Sequence, residues 1–299
     1  MKRSPSALRA ILTAAVFAAG SALGATARAQ VIDIPNVVIG PPPLTGDQAV
    51  AGKRAFWRAG KERWFFAATE EIGNFYLRTS GAVGYGRPHW IWAGIEGTSA
   101  LSPNGGVLYG GLHAAWQWLD LRAGARYTFT AKQHFLSPRA TFTKDETENT
   151  SGPKERYLAL EAEAASSVSV PGGALTGLVG LYHPLGTPEG YHLFDQALQL
   201  IAAPGLSWRA RAGYLARVDR WDFFRAGPVA EVLGNVPRGL VVVRAGPTIS
   251  ALITHHLEAY AAALLVVHSG DALGLAGAQL GEVGFRYRWA TGDRWPEIP

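Results

Sequence analysis

The feature that most limits what this chain can fold into is a strict two-residue alternation, sustained over unusually long segments. Leu119, Leu121, Ala123, Ala125, Tyr127 and Phe129 share one parity, and Asp120, Arg122, Gly124, Arg126 and Thr128 share the other. Leu206, Trp208, Ala210, Ala212, Tyr214 and Ala216 stand against Ser207, Arg209, Arg211, Gly213 and Arg217 in the same way. Val241, Val243, Ala245, Pro247, Ile249 and Ala251 stand against Arg244, Gly246, Thr248 and Ser250, and Leu158, Leu160, Ala162 and Ala164 against Glu161 and Glu163. Side chains alternate across a strand, so each segment reads as a strand with one apolar and one polar face.

A soluble sandwich alternates too, with its apolar face inward. Two observations favour a membrane barrel. The segments run to about 10–14 residues, where soluble strands usually span ~5–6. Their apolar faces also end in Trp, Tyr or Phe, as an interfacial girdle requires. Past the N-terminus no segment approaches ~18 continuous apolar residues, which excludes a helical membrane bundle. In lipid, only a closed barrel satisfies the backbone of strands.

Residues 1–29 read as a secretory signal. Lys2, Arg3 and Arg9 precede an apolar stretch from Ile11 to Leu23, and Ala27-Arg28-Ala29 supplies a small-x-small cleavage site. The formal charge of the whole chain is +5, but removing the four basic residues of this segment leaves 24 basic against 23 acidic residues. The basic footprint that a nucleic-acid partner requires is thereby lost. With no cysteine in the chain, thiolate chemistry, disulfides and cysteine-ligated metals are excluded.

The last segment sets Val283, Phe285, Tyr287 and Trp289 against Glu282, Gly284, Arg286 and Arg288. It resembles the aromatic closing strand of bacterial outer-membrane β-barrel proteins, a porin-like class, and the resemblance extends from about Trp64 to Trp289. The resemblance implies outer-membrane lipid as surroundings and the barrel-assembly machinery as a partner during biogenesis. The chain departs from the class in carrying ten residues beyond Trp289.

The expected organisation is a signal peptide (1–29), a periplasmic arm or plug (30–63), an antiparallel transmembrane barrel (64–290) and a short tail (291–299). Within the arm, Pro41-Pro42-Pro43 breaks regular structure, and 46–61 is a candidate short helix. Strands are expected to begin near Phe75, Trp90, Val107, Leu119, Arg156, Ala174, Tyr191, Leu206, Phe223, Leu240, Leu257 and Leu280. That makes twelve, with ten to fourteen open. Further strands at Trp64–Glu70 and Phe135–Phe142 would raise the count. The twelve-strand list carries a conflict: it puts the long polar segment Lys132–Glu155 at the periplasmic end, where barrels have short turns.

The polar rows are rich in arginine. Arg122, Arg126, Arg209, Arg211, Arg217, Arg225, Arg244, Arg286 and Arg288 fall on lumen-type positions, with Asp120, Glu161, Glu163, Glu231, Glu258 and Glu282 as acidic counterparts. An Arg-Ala-Gly pattern recurs at Arg122, Arg211, Arg225 and Arg244. It reads as a local device in which the glycine leaves room for the guanidinium, and two copies run into Pro228 and Pro247, as at a strand end or bulge. Arginine forks bind carboxylates and phosphates, which predicts a passive, weakly anion-selective channel for small hydrophilic solutes. The alternative is a non-conducting barrel whose arginines are spent on internal salt bridges. Trp116, Trp118, Trp208, Tyr214, Phe285, Tyr287 and Trp289 are the expected membrane-interface aromatics.

An enzyme is not expected. For a lipid hydrolase the nearest approaches to a nucleophile and base are His268-Ser269 and His134 with Ser137, and neither shows an orienting third group. His255-His256, His183 and His192 read as turn and loop residues, so no metal or cofactor is expected.

Overall fold

The computed structural model describes residues 57, 60–73, 76–147, 152–219 and 222–292, without the side chains of 280–282. The signal segment and nearly all of the arm, including the candidate helix apart from Trp57, lie outside the described residues, as do Phe75 and the tail beyond Gly292.

Twelve antiparallel strands close into one barrel: β1 (Arg63–Gly73), β2 (Leu77–Arg87), β3 (Ile91–Ser102), β4 (Gly105–Ala115), β5 (Leu119–His134), β6 (Lys154–Val170), β7 (Gly173–Leu185), β10 (Ser207–Arg217), β11 (Phe224–Asn235), β12 (Leu240–Leu252), β13 (Leu257–Ser269) and β14 (Gln279–Ala290). β1 pairs with β14, so no edge remains exposed. A separate two-stranded hairpin, β8 (Leu193–Asp195) and β9 (Leu200–Ala202), belongs to no wall strand.

The strand count agrees with expectation, but one member differs at each end of the argument. The segment from Tyr191 is not a wall strand; it leads into the hairpin. Trp64–Glu70 is a wall strand, within β1. This exchange shifts the parity of every strand from β2 to β7 and removes the conflict over Lys132–Glu155. The connections 135–153, 186–206 and 270–278 now share one end, while the other end has turns such as 116–118 and 171–172 and both barrel termini. The segment Phe135–Phe142 is not a strand either: it makes one bridge, Leu136 to His192, and Thr143 makes another to Ala272.

Burial follows the alternation with inverted polarity. In β6, Glu155, Tyr157, Ala159, Glu161 and Glu163 point inward and are buried, while Arg156, Leu158, Leu160 and Ala162 between them are exposed. The outer wall carries exposed Trp64, Ile72, Ile95, Leu112, Val179, Val267 and Phe285. No soluble fold leaves such a belt bare while burying Arg122, Arg126, Arg209, Arg225 and Arg244.

The prolines and glycines have a different role from the one expected. Pro228 and Pro247 sit inside β11 and β12, directly opposite each other. Each lacks a backbone donor, and the ladder to the strand on its other side is interrupted there. The glycines of the Arg-Ala-Gly pattern make room for neighbouring strands and aromatics rather than for the arginines. A Cβ on Gly227 or Gly246 would lie 1.7 Å from the carbonyl oxygen of Tyr214 or Ala263, and one on Gly124 would lie 2.8 Å from the Tyr109 ring.

Candidate functional site: the lumen

Register decides what the inward arginines do. Glu258, Arg286, Glu71 and Arg78 are consecutive cross-strand neighbours on β13, β14, β1 and β2. Opposite charges therefore alternate along one row. Arg78 lies 3.0 Å from Glu71, Arg286 bonds Glu71 directly and comes within 3.7 Å of Glu258, and Arg288 reaches Glu258 at 3.0 Å. A second row runs Arg211, Glu231, Arg244 on β10, β11 and β12. Glu231 accepts from Arg211 at 2.6 Å and from Arg244 at 3.1 Å.

A third row crosses β3 to β10 as Gly94, His113, Arg122, Glu163, Gly180 and Arg209. Arg122 bonds Glu96. His113 reaches Glu96 with Nδ1 at 2.7 Å and Asp120 with Nε2 at 2.8 Å. Arg209 donates to Glu163 at 2.6 Å, and the Tyr182 hydroxyl donates to the same carboxylate. Arg126 is held by Glu161 at 2.8 Å and Asp195 at 3.2 Å.

Arg225 pairs with Asp222 in the turn after β10. Arg217, 40% exposed, stands at the rim, 3.8 Å from the same carboxylate, rather than deep in the lumen. Each of the nine arginines thus has a carboxylate within 4 Å. Glu282 lies on β14, and its side chain is outside the described residues. The seven aromatics Trp116, Trp118, Trp208, Tyr214, Phe285, Tyr287 and Trp289 all turn outward or lie in a turn. Trp116, Trp118 and Phe285 are more than half exposed.

The half of the lumen nearest the long connections is filled by the hairpin. Leu193, Leu198, Leu200 and Ala202 are at most 1% exposed and pack on inward Tyr157, Ala159, Tyr182, Leu233 and Val242. Its tip is pinned by charge. Arg126 bonds Asp195, and Arg244 donates to the Leu198 and Gln199 carbonyls, both at 2.8 Å. Asp195 also accepts from its own turn, from Ala197 N at 2.8 Å and Leu198 N at 3.2 Å. This closes a tight loop in which Gln199 takes a left-handed conformation, φ 50°.

Beside the base of the hairpin, Glu155 is wholly buried. One of its oxygens accepts Phe194 N–H at 3.2 Å, and the other has no hydrogen-bond partner. Above it, Phe142, Leu136 and Leu273 from the long connections pack on Phe194 and Ile201. There Arg238 bonds Asp271 and the carbonyls of Ile201 and Ala140. Burial, with Arg238 nearby, lowers the pKa of His192 in this layer below the ordinary imidazole value.

The other half holds a cavity of about 170 Å³, lined by Glu71, Arg78, Glu96, His113, Trp92 and Arg288 among others. Trp57 is buried at its mouth. Its Nε1 donates to the His255 carbonyl at 3.0 Å, and its ring meets His89 and His256 edge-on. In the turn between β2 and β3, His89 Nε2 donates to the Trp289 carbonyl at 3.0 Å, and burial holds its pKa down at about 3. The imidazole is therefore neutral at ordinary pH.

Ser269 Oγ accepts the Asp271 amide at 3.1 Å, and no group of three metal-binding side chains occurs among the described residues. Sequence reasoning missed Glu71, Glu96, Arg78, His113 and Asp195. The first two lie on the inward parity of β1 and β3, where the nearest inward residues of the same strand carry no charge.

A closed twelve-strand antiparallel barrel with an apolar exterior and an ionic interior defines a transmembrane barrel of the outer-membrane, porin-like class. Among solved structures the chain is similar to the KdgM porin, with 6% identity over 77% of this chain and 99% of that one (TM-score 0.37). It is also similar to the NanC porin, with 9% identity over 76% and 98% (TM-score 0.35). A loop-deletion form of OmpT, an outer membrane protein of Vibrio cholerae, matches with 9% identity over 77% and 100% (TM-score 0.36). No protein-family model matches the chain. No curated protein matches it either. In this class long loops face outward and short turns face the periplasm. The hairpin thus occupies the extracellular half of the lumen and the cavity the periplasmic half.

Proposed function

We propose that this chain is exported by its N-terminal segment to the outer membrane and rests there as a non-conducting barrel, its lumen sealed from the outside by hairpin β8–β9. The observation that carries the reading is the hairpin itself: an apolar element at most 1% exposed at Leu193, Leu200 and Ile201, inserted among inward side chains and pinned by Arg126 and Arg244. The charge rows support it. Arginines already matched to carboxylates offer little to a passing anion, so the weakly anion-selective channel is the less favoured reading. The barrel acts in this reading as a membrane-anchored scaffold with a periplasm-facing ionic cavity and no catalytic role.

Planar-bilayer recording tests this directly. The intact protein is expected to insert without steady conductance. Excision of residues 190–203, bridged by a short Gly-Ser linker, is expected to give persistent open steps. Steady conductance from the intact chain would overturn the sealed-barrel reading and restore the channel.

A further inference from the structure

A barrel exterior is normally convex, but one wall of this one is hollowed. Across β3, β4, β5, β6, β7 and β10 a trough of about 1000 Å³ is floored by Ile95, Leu112, Ala123, Ala162, Leu181 and Trp208. These six are consecutive cross-strand neighbours, so the trough follows the hydrogen-bonding direction around the wall. A parallel row, from Ala93 to Ala210, forms its other side. Alanine occupies the centre where the flanks carry Ile, Leu and Trp. The inward row between the two is the one holding His113, Arg122, Glu163 and Arg209, with Gly94 and Gly180.

We propose that this trough seats the acyl chain of a bilayer phospholipid as a bound, long-lived ligand. Five inter-strand steps make it about 24 Å long. With strands tilted ~35–45° from the membrane normal, it descends through about 15 Å, the depth of one leaflet of a ~30 Å core. No charged side chain interrupts the two outward rows that form it, and it is continuous with the lipid-facing belt. A second copy of the chain does not fit. A two-fold contact places the same patch on both partners, and two hollows face to face enclose a void. A flexible chain fills a hollow without that penalty.

The test is photolabelling in phosphatidylethanolamine–phosphatidylglycerol vesicles containing a phospholipid with a diazirine on its acyl chain, followed by peptide mapping. Labelling of β4–β7 several-fold above that of Ile72, Leu265, Val267 and Phe285 on the opposite wall is expected. Ala123→Phe and Ala162→Phe should bring the trough down to the opposite wall's level while leaving that wall unchanged. Heat-modifiable migration reports that each variant still folds. If either variant fails to fold, the wild-type ratio between the two walls alone decides. Equal labelling of both walls would mean ordinary solvation by lipid and would overturn the proposal. So would protein–protein crosslinks from single cysteines placed at 123 or 162, which would identify a second barrel as the occupant.

Discussion

The two halves of the lumen are built on the same alternating strands yet end in opposite states. The extracellular half is filled with polypeptide: Leu193, Leu198 and Leu200 of the hairpin meet Tyr157, Tyr182 and Leu233 of the wall. The periplasmic half is ionic and keeps a cavity, with Glu71, Arg78, Glu96 and His113 along its surface. The polarity of the inward face does not decide between open and closed. The connection between β7 and β10 decides it, because it is long enough to fold back inside and apolar enough to be buried there. The periplasmic turns are too short to do the same; among the described residues, Trp57 covers the rim of that half.

The sharpest way to break this contrast is to remove the hairpin, which should turn a silent barrel into a conducting one. The excised barrel should also show weak anion preference in reversal-potential measurements. Arg126 loses Asp195, and Arg244 loses its two carbonyl acceptors, so the newly wet half gains positive character. Cation preference would mean that the acidic members of the rows dominate the pore.

The next largest effect lies in the periplasmic half. Glu71→Gln withdraws the carboxylate shared by Arg286 and Arg78, all three side chains being less than 10% exposed. Breaking such a buried group should cost about 4 kcal/mol, read as a loss of urea resistance in vesicles. The seal should survive it, because the ion pairs of that row run among β13, β14, β1 and β2. If conductance appeared together with the loss of stability, the halves would be coupled rather than independent. In the extracellular half, Leu200→Ala empties a wholly buried site and should weaken hairpin docking by about 3 kcal/mol, raising the open population roughly a hundredfold as brief openings. Barrel stability should change little.

These differences also explain what could be read in advance. The alternation of β5, β6, β10 and β14 separates lipid face from lumen face residue by residue, since the strand period is two. The rows could not be read, because cross-strand partners depend on register, and Arg286 and Glu71, which join the row Glu258, Arg286, Glu71 and Arg78, lie 215 residues apart in sequence. The hairpin left a signal that went unread. Leu198, Leu200, Ile201, Ala202 and Ala203 are apolar on both parities, and a wall strand between lipid and an ionic lumen is apolar on only one. In β1 the reverse holds. Phe65 and Ala67 occupy its inward positions at the periplasmic end, beside Trp92 and Trp57, and they mask the alternation that Glu71 restores farther along.

The smallest expected effect tests whether the periplasmic rim is as tightly closed as the extracellular seal. His89 sits in the turn after β2, with Trp57 against its ring and the Trp289 carbonyl on its Nε2. Burial, with Arg288 nearby, keeps its pKa at about 3, below the 6.5 of a free imidazole. Between those values the unfolded chain takes up a proton that the folded barrel refuses. Stability from this residue is therefore complete above pH 6.5 and falls as the pH drops toward 3, by at most ~1.4 kcal/mol per pH unit. His89→Gln keeps a side-chain donor for the carbonyl but removes the titration. Its unfolding midpoint in urea should therefore depend less steeply on pH between 6.5 and 4 than that of the parent chain. Identical slopes would show that His89 meets solvent freely and that Trp57 does not close the rim.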